Sequence, residues 1–144
     1  MAILRKDTPI GFEFRGTMKT VTSFRTWLFS GGWPPFDGWP ARNVHTDAEF
    51  AKRCGLPGRA ASGAMFQGYL TELMISLFGE EWLQGGRMEL KFIQIVRMNE
   101  TLVSKSRVGS KEQEEAGTRF GVDLWCENQH GEKVVVGTGT GWIR

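Results

Sequence analysis

Long apolar runs are missing from this 144-residue chain. No window approaches the ~20 consecutive apolar residues that a membrane-spanning helix needs, and the opening stretch MAILRKDTPIGFEF is too poor in apolar residues for a signal peptide. Blocks of like charge are missing too. The 18 basic and 16 acidic residues lie dispersed and leave a formal net charge of +2, which excludes a basic arm for nucleic acid and a polybasic membrane anchor. Cysteine is scarce: Cys54 and Cys126 stand far apart with no CxxC or Cys/His pairing. A domain of this length folds without a disulfide, so both read as reduced and buried. The two histidines, His45 and His130, are far apart, and no cluster has metal-ligand spacing. Repeats and low-complexity tracts are absent. A single domain over residues 1–144 is expected, large enough to bury roughly two thirds of its unfolded surface, and its expected compartment is the cytoplasm.

What is present is a sharply divided chain. An early strand is expected around Phe12 to Thr20. Thr22 then caps a short helix carrying Phe24, Trp27, Leu28 and Phe29 and ending near Ser30. The Gly/Pro/Trp-rich segment from Gly31 to Pro40 reads as a loop. After it, Thr46 and Glu49 are spaced as a capping box for a helix running to about Cys54, with Gly55 as its stop. From Gly63 to Phe78 the apolar residues Met65, Phe66, Tyr69, Leu70, Leu73, Met74, Leu77 and Phe78 cover most of the helical circumference, so protein should surround this helix on most sides. Gly79 ends it.

Beyond Gly86 the period changes to two. Met88, Leu90 and Phe92 oppose Arg87, Glu89 and Lys91, and Phe120, Val122, Leu124 and Cys126 oppose Gly121, Asp123, Trp125 and Glu127. Asn128 to Gly131 carries turn chemistry for a hairpin into a last strand, which closes a meander. In that strand Gly137, Gly139 and Gly141 share one face, an arrangement that weakens a strand unless something approaches closely; another backbone is the expected neighbour. These glycines match no phosphate-binding fingerprint.

The order of elements suits several α+β folds, and the local sequence narrows it. Asn43-Val44-His45-Thr46-Asp47, Ala51, Gly55-Leu56-Pro57-Gly58, Ala61-Ser62-Gly63-Ala64-Met65, Leu90-Lys91-Phe92 and Asn128-Gln129-His130-Gly131-Glu132-Lys133-Val134 together resemble the MaoC-like dehydratases, which include the (R)-specific enoyl-CoA hydratases. The resemblance covers nearly the whole chain. It implies a hotdog fold, an antiparallel sheet wrapped around one central buried helix, with the strand and hairpin segments supporting the fold more than the activity. It further implies hydration of a 2-enoyl thioester or dehydration of its 3-hydroxyacyl partner, where an aspartate and a histidine share one water.

The family histidine matches His45. The family writes the preceding stretch as Asp-x-Asn-Pro-x-His, and by that count Pro40 stands where the aspartate belongs. Asp37, in a lengthened loop, is the candidate replacement, and Asn43 lies one residue nearer the histidine than the family asparagine. The chemistry needs a base for water, an acid for the α-carbon and donors for the thioester oxygen. His45 suits either proton role, and the Gly63 N–H at the start of the buried helix suits the oxyanion. Ser62 stands where the family carries a histidine. Asn43, Ser62, Trp33 and Trp39 are the candidate substrate contacts, with Phe36 as a further wall of an acyl pocket or of a subunit contact.

Simpler readings stand beside these. His45 also fits a structural histidine bonding a loop backbone group, Asp37 an ordinary Asp-Gly turn, and Asp47 an electrostatic partner of the helix start. Glu72, with Gln67 the other polar group of interest on the buried helix, fits a solvent-facing or paired residue, although a hotdog thioesterase uses such a carboxylate. His130 reads as a turn residue, and Met65 and Met74 as core filler. The alternatives to a hydro-lyase are therefore a hotdog acyl-CoA thioesterase and a hotdog protein that binds an acyl intermediate without hydrating it. The resemblance implies no cofactor beyond the CoA or carrier-protein part of the substrate, and a homodimer or dimer of dimers with substrate tunnels at the subunit boundary.

Overall fold

The computed structural model describes residues 1–34 and 37–144, so the expectation for Phe36 lies outside the described residues. Element order is β1 (Glu13–Thr20), α1 (Ser23–Ser30), α2 (Ala48–Arg53), α3 (Gly63–Phe78), α4 (Trp82–Gly85), β2 (Arg87–Phe92), β3 (Thr101–Glu114), β4 (Gly117–Glu127) and β5 (Lys133–Ile143). The strands form one antiparallel sheet in the order β1-β3-β4-β5-β2. β3, β4 and β5 are the expected meander, and β1 and β2 close its two edges. No described helix is long and apolar enough to cross a membrane.

The sheet curls around α3, as the apolar circumference of that helix requires. Met65, Phe66, Leu70, Leu73, Met74, Leu77 and Phe78 are buried against Val108, Phe120, Val122, Leu124, Cys126, Val134 and Val135 of the strands. Each such side chain contributes on the order of 1.5–3 kcal/mol by leaving water, so the helix is the main apolar body the sheet covers. Its exposed residues are Ala64, Gln67, Gly68 and Glu72, the narrow stripe its few polar side chains anticipate. At its far end Gly79, with φ +84°, turns the chain, and the N–H groups of Ile3 and Leu4 donate to the carbonyls of Ser76 and Leu77 at 3.0 and 2.9 Å. The N-terminal segment thereby satisfies carbonyls that a helix end leaves unpaired.

Four local expectations need correction. The cap of α2 is Asp47 rather than Thr46. The Thr46 hydroxyl is spent in the loop, donating to the Ala41 carbonyl at 2.6 Å and accepting from the Asn43 N–H at 3.1 Å, while Asp47 accepts from the Phe50 N–H at 2.7 Å. Glu49 pairs with Lys52 at 3.0 Å instead of reaching back. Only Cys126 of the two free thiols is buried, and burial pushes it up to about 12; Cys54 is exposed at the end of the short α2. Phe92 breaks the alternation of β2, 48% exposed where Met88 and Leu90 are half-buried. Finally, the crowding at the β5 glycines is mixed. A Cβ at Gly137 would strike the Glu89 backbone carbonyl, but at Gly139 it would lie 2.6 Å from Met74 Cε and at Gly141 2.7 Å from the Phe78 ring. Side chains of α3 press into the strand where another backbone was expected.

The last contact is testable. Gly141→Ala should lower stability by about 1–3 kcal/mol through overpacking against Phe78, whereas Thr138→Ala on the exposed face should stay within about 0.5 kcal/mol of the parent; urea unfolding of the purified variants checks both.

Candidate functional site

The segment between α1 and α3 is built from two clasps. The first closes the neck of the Gly/Pro/Trp loop: the Gly31 N–H donates to Trp27, the Gly31 carbonyl accepts from Ala41 at 2.8 Å, and a Cβ at Gly31 would lie 2.5 Å from Pro40. Glycine is required for that close approach. Inside the loop Trp39 stacks edge-on against Trp27 with ring centres 6.2 Å apart, and its indole N–H donates to the Gly32 carbonyl at 3.1 Å. Trp33 is 86% exposed, and Asp37 is exposed with no hydrogen bond or ion pair to His45.

The second clasp holds the histidine. Asn43 Oδ1 accepts from the His45 N–H at 2.8 Å, and Asn43 Nδ2 donates to the Ser30 carbonyl at 2.7 Å, tying the turn to the end of α1. Both polar ends of the Asn43 amide are thus engaged in positioning the turn. Asp47 anchors the turn from the other side: the Phe50 N–H, working against partial burial and with Arg42 at 2.9 Å, holds its carboxyl below the usual carboxylate range.

The His45 ring points across to the segment between α2 and α3, where Ala60 makes an isolated bridge to Arg97. Its Nδ1 lies 2.7 Å from the Ala60 carbonyl oxygen, while the Ala60 N–H donates back to the Val44 carbonyl at 3.3 Å. A carbonyl can only accept, so Nδ1 carries the proton in the neutral ring, and Nε2 keeps its lone pair. Among the described residues no carboxylate forms a hydrogen bond or ion pair with this ring.

Three residues beyond Ala60 the helix begins. Ser62 is its N-cap with φ −68° and ψ 132° and makes no capping bond with its side chain. Among the described residues neither the Gly63 nor the Ala64 N–H finds an acceptor. The end of a 16-residue helix thus offers free donors and its positive dipole end to an oxygen gaining charge. Three residues span at most about 10 Å, so the backbone that holds the ring lies within about that distance of these donors. A Cβ at Gly63 would lie 3.0 Å from the Phe92 ring, and Phe92, Ile93 and Ile95 leave apolar surface exposed beside it.

Two cavities adjoin this segment. One, of about 410 Å³, is lined by Lys19, Arg25, Leu28, Phe29, Met65 and Tyr69; the other, of about 240 Å³, by Pro57, Gly58, Arg59, Ile95, Arg97 and Met98. His45 lines neither. Of the expected site residues, the structure therefore groups His45, Asn43, Ser62 and Gly63 and leaves Asp37, Trp33 and Trp39 in the separate loop. Glu72 is 54% exposed and bound to Lys19 at 2.6 Å, the paired state foreseen for it. The Ala60 carbonyl, Lys19, Arg25 and Tyr69 escaped sequence reading, since nothing local marks a backbone acceptor 15 residues from its histidine or cations brought together from β1 and α1.

The model of the MaoC like domain family matches residues 41–134. No curated protein matches the chain. Among solved structures, a MaoC-like dehydratase from Rhodospirillum rubrum superposes with a TM-score of 0.74 at 22% identity, covering 96% of both chains. The (R)-hydratase from A. caviae involved in PHA biosynthesis gives 0.68 at 16% identity, covering 94% of this chain and 97% of that one. The HadBC (3R-hydroxyacyl-ACP dehydratase) complex from Mycobacterium tuberculosis gives 0.65 at 14% identity, covering 94% and 98%. At these identities the superpositions establish the hotdog fold.

The second clasp predicts a stability pattern. Asn43→Ala removes the acceptor for His45 and the donor for Ser30 and should cost about 1–3 kcal/mol. Asn43→Asp, which keeps the acceptor, should lose less; urea unfolding of the two variants gives the comparison.

Proposed function

The chain belongs to the MaoC-like domain family, and on that premise we propose that it hydrates a 2-enoyl thioester, or dehydrates the corresponding 3-hydroxyacyl thioester, with His45 and the Gly63 N–H as the working groups. The observation that carries this is the ring held by the Ala60 carbonyl at 2.7 Å, with Nε2 free, three residues before the uncapped start of α3.

One imidazole suffices for the proton balance. As water adds to C3, Nε2 takes its proton, and the displaced electron pair moves through C2 to the thioester oxygen. The Gly63 N–H and the helix end stabilise that oxyanion. The imidazolium, stabilised by its Nδ1–H bond to Ala60, then returns the proton from Nε2 to C2 on the same face, which gives syn addition; elimination is the reverse. This route does not draw on Asp37, which is exposed and makes no hydrogen bond or ion pair with His45. A thioesterase built on Glu72 lacks support, since that carboxylate is neutralised by Lys19 and lies about 13 Å along the helix from Gly63. The reading that keeps one observation in its favour is an acyl-thioester binder without turnover, since among the described residues no carboxylate forms a hydrogen bond or ion pair with His45.

The assembly is part of the same proposal. β2 is an edge strand, and Phe92, Ile93 and Ile95 at and beyond its end are 45–49% exposed. A second copy paired along β2 would cover this patch and wall the Gly63 end of the site.

The assay follows the conjugated thioester absorbance of 2-enoyl-CoA esters. His45→Ala should lower kcat at least 100-fold, and Asp37→Asn should leave it within a few-fold. Gly63→Pro deletes the N–H at a helix position that tolerates proline, while Gly63→Ala keeps the N–H and adds a Cβ against Phe92. The proline variant should be slower than the alanine variant by about 100- to 1,000-fold. Tight binding of acyl-CoA with no turnover by the parent would decide for the binder.

A further inference from the structure

The open groove of about 410 Å³ between α1, β1 and α3 has the size of a ligand pocket, and Leu28, Phe29, Met65 and Tyr69 give it a largely apolar lining, with Leu28 and Phe29 exposed along its rim. Lys19 and Arg25 complete that lining. An unbranched hydrocarbon tail has no use for two cations there. Their partners differ. Lys19 is neutralised by Glu72 at 2.6 Å and lies 5.1 Å over the Tyr69 ring. Arg25 donates through Nη1 to the neutral Thr20 carbonyl at 2.9 Å, and among the described residues no carboxylate pairs with it. The three charges therefore leave one positive charge uncompensated, on a guanidinium with further N–H donors to offer. A guanidinium fork fits a carboxylate better than any other common anionic group except phosphate. Tyr69 is part of the same neighbourhood: burial pushes its phenol up, and Arg25 opposes this.

The cavity also lies in line with the candidate site. Ser62, Met65 and Tyr69, spaced three and four residues apart, fall on one stripe of α3. From Gly63 to Tyr69 the helix rises about 9 Å, a medium acyl chain. Phe29, in the cavity wall, precedes Ser30, to which the His45 turn is tied.

We propose that the acyl group accepted by this chain ends in a carboxylate held by Arg25, so that the substrate is the monothioester of a medium-chain dicarboxylic acid. The placement of its thioester end rests on the hydratase reading above; the carboxylate end rests on the cavity.

The test uses two matched pairs of ligands on the purified 144-residue chain. For turnover, 2-enoyl-CoA esters of equal length end in a carboxylate or a methyl group. The carboxylate form should be preferred at least tenfold in kcat/KM, and Arg25→Gln, which keeps a donor for Thr20, should bring the ratio of the two forms to within about twofold. Equal rates, or a preference for methyl in the parent, would overturn the proposal while leaving the hydratase reading intact. For binding, calorimetry compares the saturated CoA monothioester of octanedioic acid with octanoyl-CoA. At least tenfold tighter binding of the former, lost in Arg25→Gln, supports the proposal even if neither enoyl ester turns over. Equal affinity, or no binding of either, overturns it.

Discussion

The bond from His45 Nδ1 to the Ala60 carbonyl, 2.7 Å long, is the constraint on which the account of the site depends. It fixes the tautomer, aims the ring, and ties the loop after α1 to the segment that leads into α3. Without it the imidazole would be one more polar group on a surface turn. With it, Nε2 keeps its lone pair on a ring bonded three residues before the free amides of a long helix, and in the proposed reaction the two groups take different parts: one accepts a proton, the other faces developing negative charge. The same bond satisfies the structural reading of this histidine. A backbone-bonded ring and a working ring are compatible because imidazole has two nitrogens.

The rigidity behind this arrangement comes from α3. Its apolar circumference compels the sheet to wrap it, and the wrap is tight enough that Met74 and Phe78 press on Gly139 and Gly141. A helix so held cannot shift its N-terminus easily, which keeps the Gly63 amide in place. Pro40, which the count back from His45 puts where the resemblance expects an aspartate, packs over Gly31 at the neck of the loop and so has a structural job there. Asp37, within that loop, is exposed.

Legibility in the sequence followed the range of the interactions. Helix α3 was readable to the residue, because sixteen positions of composition and the stop at Gly79 all agree. The strand pattern Phe120, Val122, Leu124 and Cys126 was equally plain, since period two survives wherever one face is buried. The α2 cap was misplaced by one residue because Thr46 and Asp47 are both good caps, and only a contact with Ala41 decides between them. The site was half legible: His45 and Gly63 stand in recognisable local motifs, but the carbonyl that orients the ring and the cations that meet beside Tyr69 arise from pairings between distant segments. The position of Asp37 depended on how a loop closes on itself, which composition does not encode.

The most direct test of the central bond is nitrogen NMR of the His45 ring in the intact protein, with the neutral form selected by pH. The account predicts that neutral His45 carries its proton on Nδ1, with Nε2 unprotonated. A neutral ring protonated on Nε2 would contradict it, because that tautomer has no donor for the Ala60 carbonyl and no free lone pair to take a proton from water.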